Sequence, residues 1–544
     1  MRIDRNDWPV EFKSWLRFAS VLASIAALLS FVGCGRSQEA SVAPMSMEVP
    51  AAAVSEMMSA DTEGPNNTEE YDAIKENPFQ AVLESPLSTF ALDVDTASYA
   101  NVRRLLRQGT LPPPGAIRLE ELVNYFHYDY PAPAGEHPLS VTTECSACPW
   151  QPEHQLLRVG VSAKEIEFES RRSSNIVFLL DVSGSMLRPN KLPLVKQALK
   201  LLIEKLNPED RVAIVVYAGS SGLVLDSTRI AEASEILEAV ENLQAGGSTN
   251  GGQGIQLAYR VAQDHFSDGG INRVVLCTDG DFNVGVSDRS SLVELIESKA
   301  KSGVYLTVLG FGDGNLKDST METLADKGNG NYAYIDSVLE ARKVLVEEVG
   351  GTLVTVAKDV KIQLDFNPMH VKAYRLLGYE NRLLNNRDFR DDSKDAGEVG
   401  AGHQVTAFYE LVPADAASRA EQVETRSSEF VTAGAALGAN SATKLTVNLR
   451  YQDPDSSEAH EFQVRVSDSA SSATPSSDFQ FATSVLAYGM MLRGSEYVVG
   501  ADWDWVLETA ELNLGEDPRG LRTEFVALAK TAKRLFSPDS LASE

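Results

Sequence analysis

Cysteine and histidine are scarce in this chain: four and seven residues among 544. The histidines are scattered, and neither Ser183 nor Ser185 has a nearby base, so no Ser/His/Asp arrangement can be assembled. Basic charge is short as well. Lys and Arg number 49 against 77 Asp and Glu, which gives 49 − 77 = −28. A basic surface for nucleic acid or anionic headgroups is therefore excluded. No GKS or GKT ends a glycine-rich loop, and no GxGxxG follows a strand, so phosphate binding has no support. Solenoid-type repeats are missing too.

The hydrophobic share of 43% is that of ordinary globular protein. The length calls for two to four domains. At the N-terminus Arg2, Arg5, Lys13 and Arg17 precede the apolar run 18–32. That run is too short for a transmembrane helix and fits an export signal over residues 1–33. It ends in "FVGC", with Gly33 before Cys34, and resembles a bacterial lipobox. The resemblance implies lipidation of Cys34 and an anchor at the cell envelope after export across the inner membrane. A plain secretory signal with an incidental cysteine is the alternative. Cys145 and Cys148 form one CxxC pair. In an oxidising envelope a local disulfide fits them better than a metal or redox site. Cys277 lies inside an apolar strand and reads as a small buried hydrophobe.

Residues 34–70 are rich in Ala, Ser, Pro and Glu without a period, the composition of a tether. Residues 71–170 read as a flanking α+β module. It holds a strand near 85–95, helices in "TASYANVRRLLRQG" and "AIRLEELVNYF", and two alternating strands. Asp93-Val94-Asp95-Thr96 looks like a DxDxT phosphatase motif but lacks the second spacer. Asp95 or Thr96 is expected to cap the helix bearing Tyr99.

Over 172–350 near-continuous Val/Ile/Leu strands alternate with helical stretches, the first of them at 191–206. Burial on both strand faces predicts an α/β domain, a doubly wound and mainly parallel sheet with helices on either side. Strand-like pieces return over 355–470, and 475–540 is helical. The strands before 170 and after 355 are expected to build one β-sandwich, with the α/β domain inserted between them. Trp503 and Trp505 are expected to pack, not to form a sugar platform.

Ligands of an open α/β sheet sit beyond the carboxyl ends of its strands. In "NIVFLLDVSGSML" the apolar strand stops at Asp181, and Ser183 and Ser185 follow at alternate positions. An extended chain would point all three to one side. "AGGSTNGG" sets Thr249 in a glycine-rich loop, and "CTDGDFNVG" sets Asp279 at another strand end. Two carboxylates and three hydroxyls offer oxygen alone, which suits a hard dication: Mg²⁺ first, then Ca²⁺ or Mn²⁺. With only two carboxylates, residual positive charge would favour an incoming Asp or Glu.

Asp181-x-Ser183-x-Ser185, Thr249 in "GGSTN" and Asp279 in "TDG" resemble the metal-ion-dependent adhesion site (MIDAS) of von Willebrand factor type A (VWA) domains. That resemblance implies these five residues as metal ligands, some through water. A wider one rests on "NPFQAVLESPLSTFALDVDTASYANVRRLLRQGTLPPPGAIRLEELVNYFHYDYP", "CPWQPEHQLLRVG" and "TDGDFNVGV". These phrases are similar to a bacterial envelope lipoprotein family. Its members carry a VWA domain between an N-terminal flanking domain and a C-terminal domain of unknown function. The resemblance implies no enzyme and names no ligand.

The expectation is thus a non-enzymatic, metal-dependent protein-binding module, anchored to a membrane and holding a partner's carboxylate. A metal-dependent hydrolase with Asp281 as base is one alternative. A metal that merely staples three loops is another.

Overall fold

The computed structural model describes residues 68–536, apart from 93–94, 168–170, 219–220, 248–250, 281–288, 393, 395, 415–441, 455, 457 and 468–473. The export signal, Cys34, Thr249 and Asp281 therefore lie outside the described residues.

The strands of the α/β domain follow one alternation. Ile176, Phe178 and Leu180 project into one buried cluster, and Val177 and Leu179 into another on the opposite face. Side chains at successive strand positions point to opposite faces, so both faces of this sheet are covered. Helices Leu192–Ile203 and Ala233–Asn242 cover the first face, and Gly251–Asp264 covers the second. Six strands run in the order Tyr332–Ile335, Tyr305–Phe311, Ile271–Thr278, Ser174–Asp181, Arg211–Tyr217, Ser221–Arg229. Only the last pair is antiparallel. The doubly wound fold expected from the apolar runs is present. Ser174–Asp181 lies between Arg211–Tyr217 and Ile271–Thr278, so the chain order reverses at this strand. The crevice at such a reversal is where α/β sheets bind ligands.

Glycines near 251 were expected to shape a loop. Gly251 and Gly252 are instead buried at the start of Gly251–Asp264, and buried Gly254 follows in the same first turn. A Cβ on Gly254 would fall 2.8 Å from the Tyr217 Cβ, so this helix lies closer to the sheet than any larger residue allows.

Strands from both sides of the α/β domain build two antiparallel sheets. One holds Gln80–Ala81, Val371–Leu377, Gln404–Pro413, Gln151–Ala163 and Leu139–Cys148. The other holds Leu383–Leu384, Leu87–Ala91, Thr355–Phe366, Thr443–Gln452 and Ala459–Ser467, with Gly397–Gly400 paired alongside. Phe90, Ile362, Leu364 and Val447 of the second meet Leu157, Val159, Val405 and Tyr409 of the first in a shared core. The α/β domain is thus inserted in a β-rich frame, as expected.

Cys145 and Cys148 do not form the expected disulfide, and both are buried. They lie an odd number of residues apart on one strand. Cys145 enters the sandwich core and Cys148 the helical core on the other side.

The C-terminal helices Ser477–Arg493, Trp503–Leu512 and Leu521–Phe536 pack with Ala97–Arg107 and Leu119–Asn124. Ser477–Arg493 is buried nearly all round, beyond the single stripe of Phe481, Val485, Tyr488 and Leu492. Ser476 caps its start by accepting the Phe479 N–H, and left-handed Gly494 ends it. Trp503 sits edge-on to Tyr488 at 6.0 Å, and both tryptophans pack on this core as expected. Among the described residues, no helix is long and apolar enough to cross a membrane.

Candidate metal centre

Asp181 is the last residue of the central strand and is fully buried. Its Oδ1 accepts the Ser183 N–H at 2.8 Å, and its Oδ2 has no hydrogen-bond partner. A buried carboxylate oxygen without a donor is costly, so it marks a place where a cation would be compensated. Burial pushes the Asp181 carboxyl up to about 6, against the lowering pull of Ser183 and with a further push from the charge of Asp279.

The Ser183 and Ser185 hydroxyls lie 3.0 Å apart. An extended chain does not bring them together, as had been expected. Ser183 is extended, but Gly184–Leu187 turns into a 3₁₀ helix, and that tighter turn carries Ser185 back over Ser183. Ser183 is buried and Ser185 exposed, so the pair opens towards solvent.

The glycine-rich loop reaches this turn through its backbone. Gly246 N–H donates to the Val182 carbonyl at 2.7 Å, and Gly184 N–H to the Gly247 carbonyl at 3.0 Å. The loop is therefore docked on the Asp181 turn two residues before Thr249, which itself lies outside the described residues.

Asp279 follows the strand next to the one that Asp181 ends; Leu180 pairs with Cys277 in the shared register. It is buried, and its Oδ2 accepts a 2.6 Å ion pair from Lys191 Nζ. Sequence reasoning counted residue 191 only as the start of a helix. A lysine at a helix start carries no local signal of a contact 88 residues away. The histidines lie elsewhere: His154 pairs with Glu410, His265 with Asp226 and His460 with Asp453.

The donor set fits a hard dication: an orphaned carboxylate oxygen, a hydroxyl pair and a second buried carboxylate. Nothing but oxygen is offered by Asp181, Ser183, Ser185 and Asp279.

A second carboxylate group lies where the flanking helices meet the α/β domain. Ligand oxygens of Asp95, Glu121 and Glu322 lie within 4.8 Å of one another. Two arginines enter it. Arg118 pairs with Glu121 and Asp318, and Arg382 with Glu322 at 3.1 Å and Asp95 at 3.3 Å. Paired in this way, it is a buried ion network. The expected cap is absent. Thr96 makes no side-chain cap bond, and Asp95 Oδ1 accepts the Tyr332 N–H at 2.8 Å. Glu121 takes the capping role from outside the helix, accepting the Ser98 N–H at 2.7 Å.

Residues 175–347 match the family described as von Willebrand factor type A domain, and 351–535 match that described as uncharacterized protein YfbK, C-terminal. Residues 65–158 match a family described as von Willebrand factor. The uncharacterized protein YfbK of Escherichia coli (strain K12) is 42% identical over 476 residues, covering 86% of this chain and 81% of the relative. Human inter-alpha-trypsin inhibitor heavy chain H3 is 28% identical over 192 residues, 33% of this chain and 21% of that one. The solved structure of a von Willebrand factor type A protein from Catenulispora acidiphila covers 73% of this chain and 91% of its own. Its identity is 16% and its TM-score 0.41. With a VWA domain followed by a YfbK-type C-terminal region, and a relative so similar over most of both lengths, the chain belongs to the family of YfbK.

Proposed function

We propose that the VWA domain is a metal-dependent protein-binding module. Asp181, Ser183, Ser185, Thr249 and Asp279 hold one divalent cation, Mg²⁺ first and Ca²⁺ or Mn²⁺ next, some of them through water. The cation in turn holds an Asp or Glu side chain of a protein partner. The observation that carries this reading is the buried Asp181 Oδ2, left without a hydrogen bond beside the Ser183–Ser185 pair at the reversal of the sheet. The centre works by coordination and carries no catalytic group. In this reading the chain is exported, lipidated at Cys34 and held at the bacterial envelope, so the partner is an envelope protein.

Crosslinking in cells followed by identification of the captured protein tests the reading, with wild type compared with Asp181→Ala. The captured partner is then titrated with and without EDTA. Binding lost in chelator and in Asp181→Ala is the expected result. Binding unchanged by chelator would defeat the reading. A melting temperature that falls on chelation while binding persists would reduce the metal to a structural staple.

A further inference from the structure

We propose that Lys191 is a resident counter-cation of the metal centre. It weakens the hold of Asp279 on a dication and keeps the loaded centre cationic, so that an acidic ligand is selected over a neutral one. The proposal rests on the metal-binding reading above.

The lysine is built into its place. Its Nζ lies 2.6 Å from Asp279 Oδ2, and both side chains are buried, 4% and 0% exposed. Lys191 occupies the N-cap position of Leu192–Ile203, where the helix dipole disfavours a cation and no side-chain cap bond is made. A cation at that end of a helix needs a compensating anion, and Asp279 is the one it touches. The aliphatic stem runs across Gly312, whose φ is +77°. A Cβ there would fall 2.4 Å from both Lys191 Cγ and Cε, so the channel for the stem exists only because residue 312 is glycine.

Charge counting gives the consequence. The residual positive charge expected with only two carboxylates is local to the cation: a dication with Asp181 and Asp279 sums to zero net charge, so any preference for an anion rests on the cation's own field. Lys191 raises the sum to +1, and one incoming carboxylate returns it to zero. The ammonium and the dication also compete for a single carboxylate. Two like charges a few ångströms apart in a buried site repel by several kcal/mol at an effective dielectric near 20. Metal affinity is therefore traded for ligand discrimination. Ser185, exposed beside the buried Ser183, gives the side from which such a ligand would approach.

Mn²⁺ titrated calorimetrically into the full chain tests this, in wild type, Lys191→Gln, Lys191→Arg and Asp181→Ala. Lys191→Gln removes the charge but keeps a donor for Asp279, and is expected to bind Mn²⁺ about tenfold tighter or more. Lys191→Arg keeps wild-type affinity. Acetate and acetamide are then compared on the Mn²⁺-loaded proteins by water-proton relaxation. The wild-type preference for acetate is expected to shrink by about tenfold in Lys191→Gln and to persist in Lys191→Arg. Should the Gln variant not fold, Lys191→Met carries the same expectation. Mn²⁺ binding that is lost in Asp181→Ala but equal in wild type and Lys191→Gln would overturn the role of Lys191 alone. A change in Lys191→Gln that Lys191→Arg reproduces would show that packing, not charge, is at work, and would overturn it too. No Mn²⁺ binding by any variant would overturn the metal reading itself.

Discussion

Buried carboxylates in this molecule divide into those with a cationic partner and those without, and the second kind carry the consequences. Glu120, in the flanking helix Leu119–Asn124, is 8% exposed, and its Oε2 has no hydrogen-bond partner. Burial first, and the charge of Glu380 second, push its carboxyl from the ordinary 4.5 up to about 7. A carboxyl raised in the fold contributes its full stability below its unfolded pKa, and that contribution is lost as pH rises through the folded one. The window is therefore pH 4.5 to 7. Glu120→Gln is expected to be more stable than wild type by about 2–3 kcal/mol at pH 8, a gap that closes towards pH 4.5. Urea unfolding at both pH values checks this, and a gap independent of pH would contradict it. Asp181, Ser183, Ser185 and Asp279 could be singled out in the sequence because they stand at or just past the ends of apolar strand runs, and Thr249 because of the glycine-rich stretch around it. Lys191 could not, because its partner is fixed only by the strand order.

The strands of the central sheet were legible for a plain physical reason. Covered on both faces, they need unbroken apolar runs, and "NIVFLLD" and "RVVLCTD" read as nothing else. Three local readings failed, two through local backbone geometry and one through tertiary contact. Ser185 reaches Ser183 through a 3₁₀ turn, not strand alternation. Glu121, from a separate helix, supplies the cap that Asp95 and Thr96 were expected to make. Cys145 and Cys148 point into different cores. Gly254 gives an element-scale test. Replacing a helical glycine by alanine at a compatible site ordinarily stabilises by about 0.4–1 kcal/mol. Here the new methyl would meet Tyr217 at 2.8 Å and push Gly251–Asp264 off the sheet. Gly254→Ala is expected to destabilise by about 1–3 kcal/mol. Thermal unfolding that shows an increase in stability would contradict the close approach.

At the scale of the whole molecule, the α/β domain is tied to its frame by buried ion pairs. Arg103, on Ala97–Arg107, holds Asp336 and Glu340 of the α/β domain at 2.6 Å each and Glu524 of the last helix at 3.1 Å. Its carboxylate partners at 336 and 340 are almost wholly buried. Removing one member of such a group leaves uncompensated buried charge, and Arg103→Ala is expected to cost about 3–5 kcal/mol. Denaturant unfolding checks this; a loss below about 1 kcal/mol would show the network to be dispensable. The residues just before the flanking module are tied as well. Thr68 and Glu70 N–H groups donate to the Gly314 and Leu316 carbonyls of the loop that follows Tyr305–Phe311. The pairing of strands across the inserted domain was anticipated from their alternation. Their partners and register were not, since Leu364 joins Ser88 and Val447 from positions far apart in the chain. The central claim, one dication held at the carboxyl end of the sheet, is tested most directly by anomalous diffraction from crystals of the full chain grown with Mn²⁺. A single peak in contact with Asp181, Ser183, Ser185, Thr249 and Asp279, directly or through water, is the predicted result. No peak there, or a peak among Asp95, Glu121 and Glu322 instead, would contradict it.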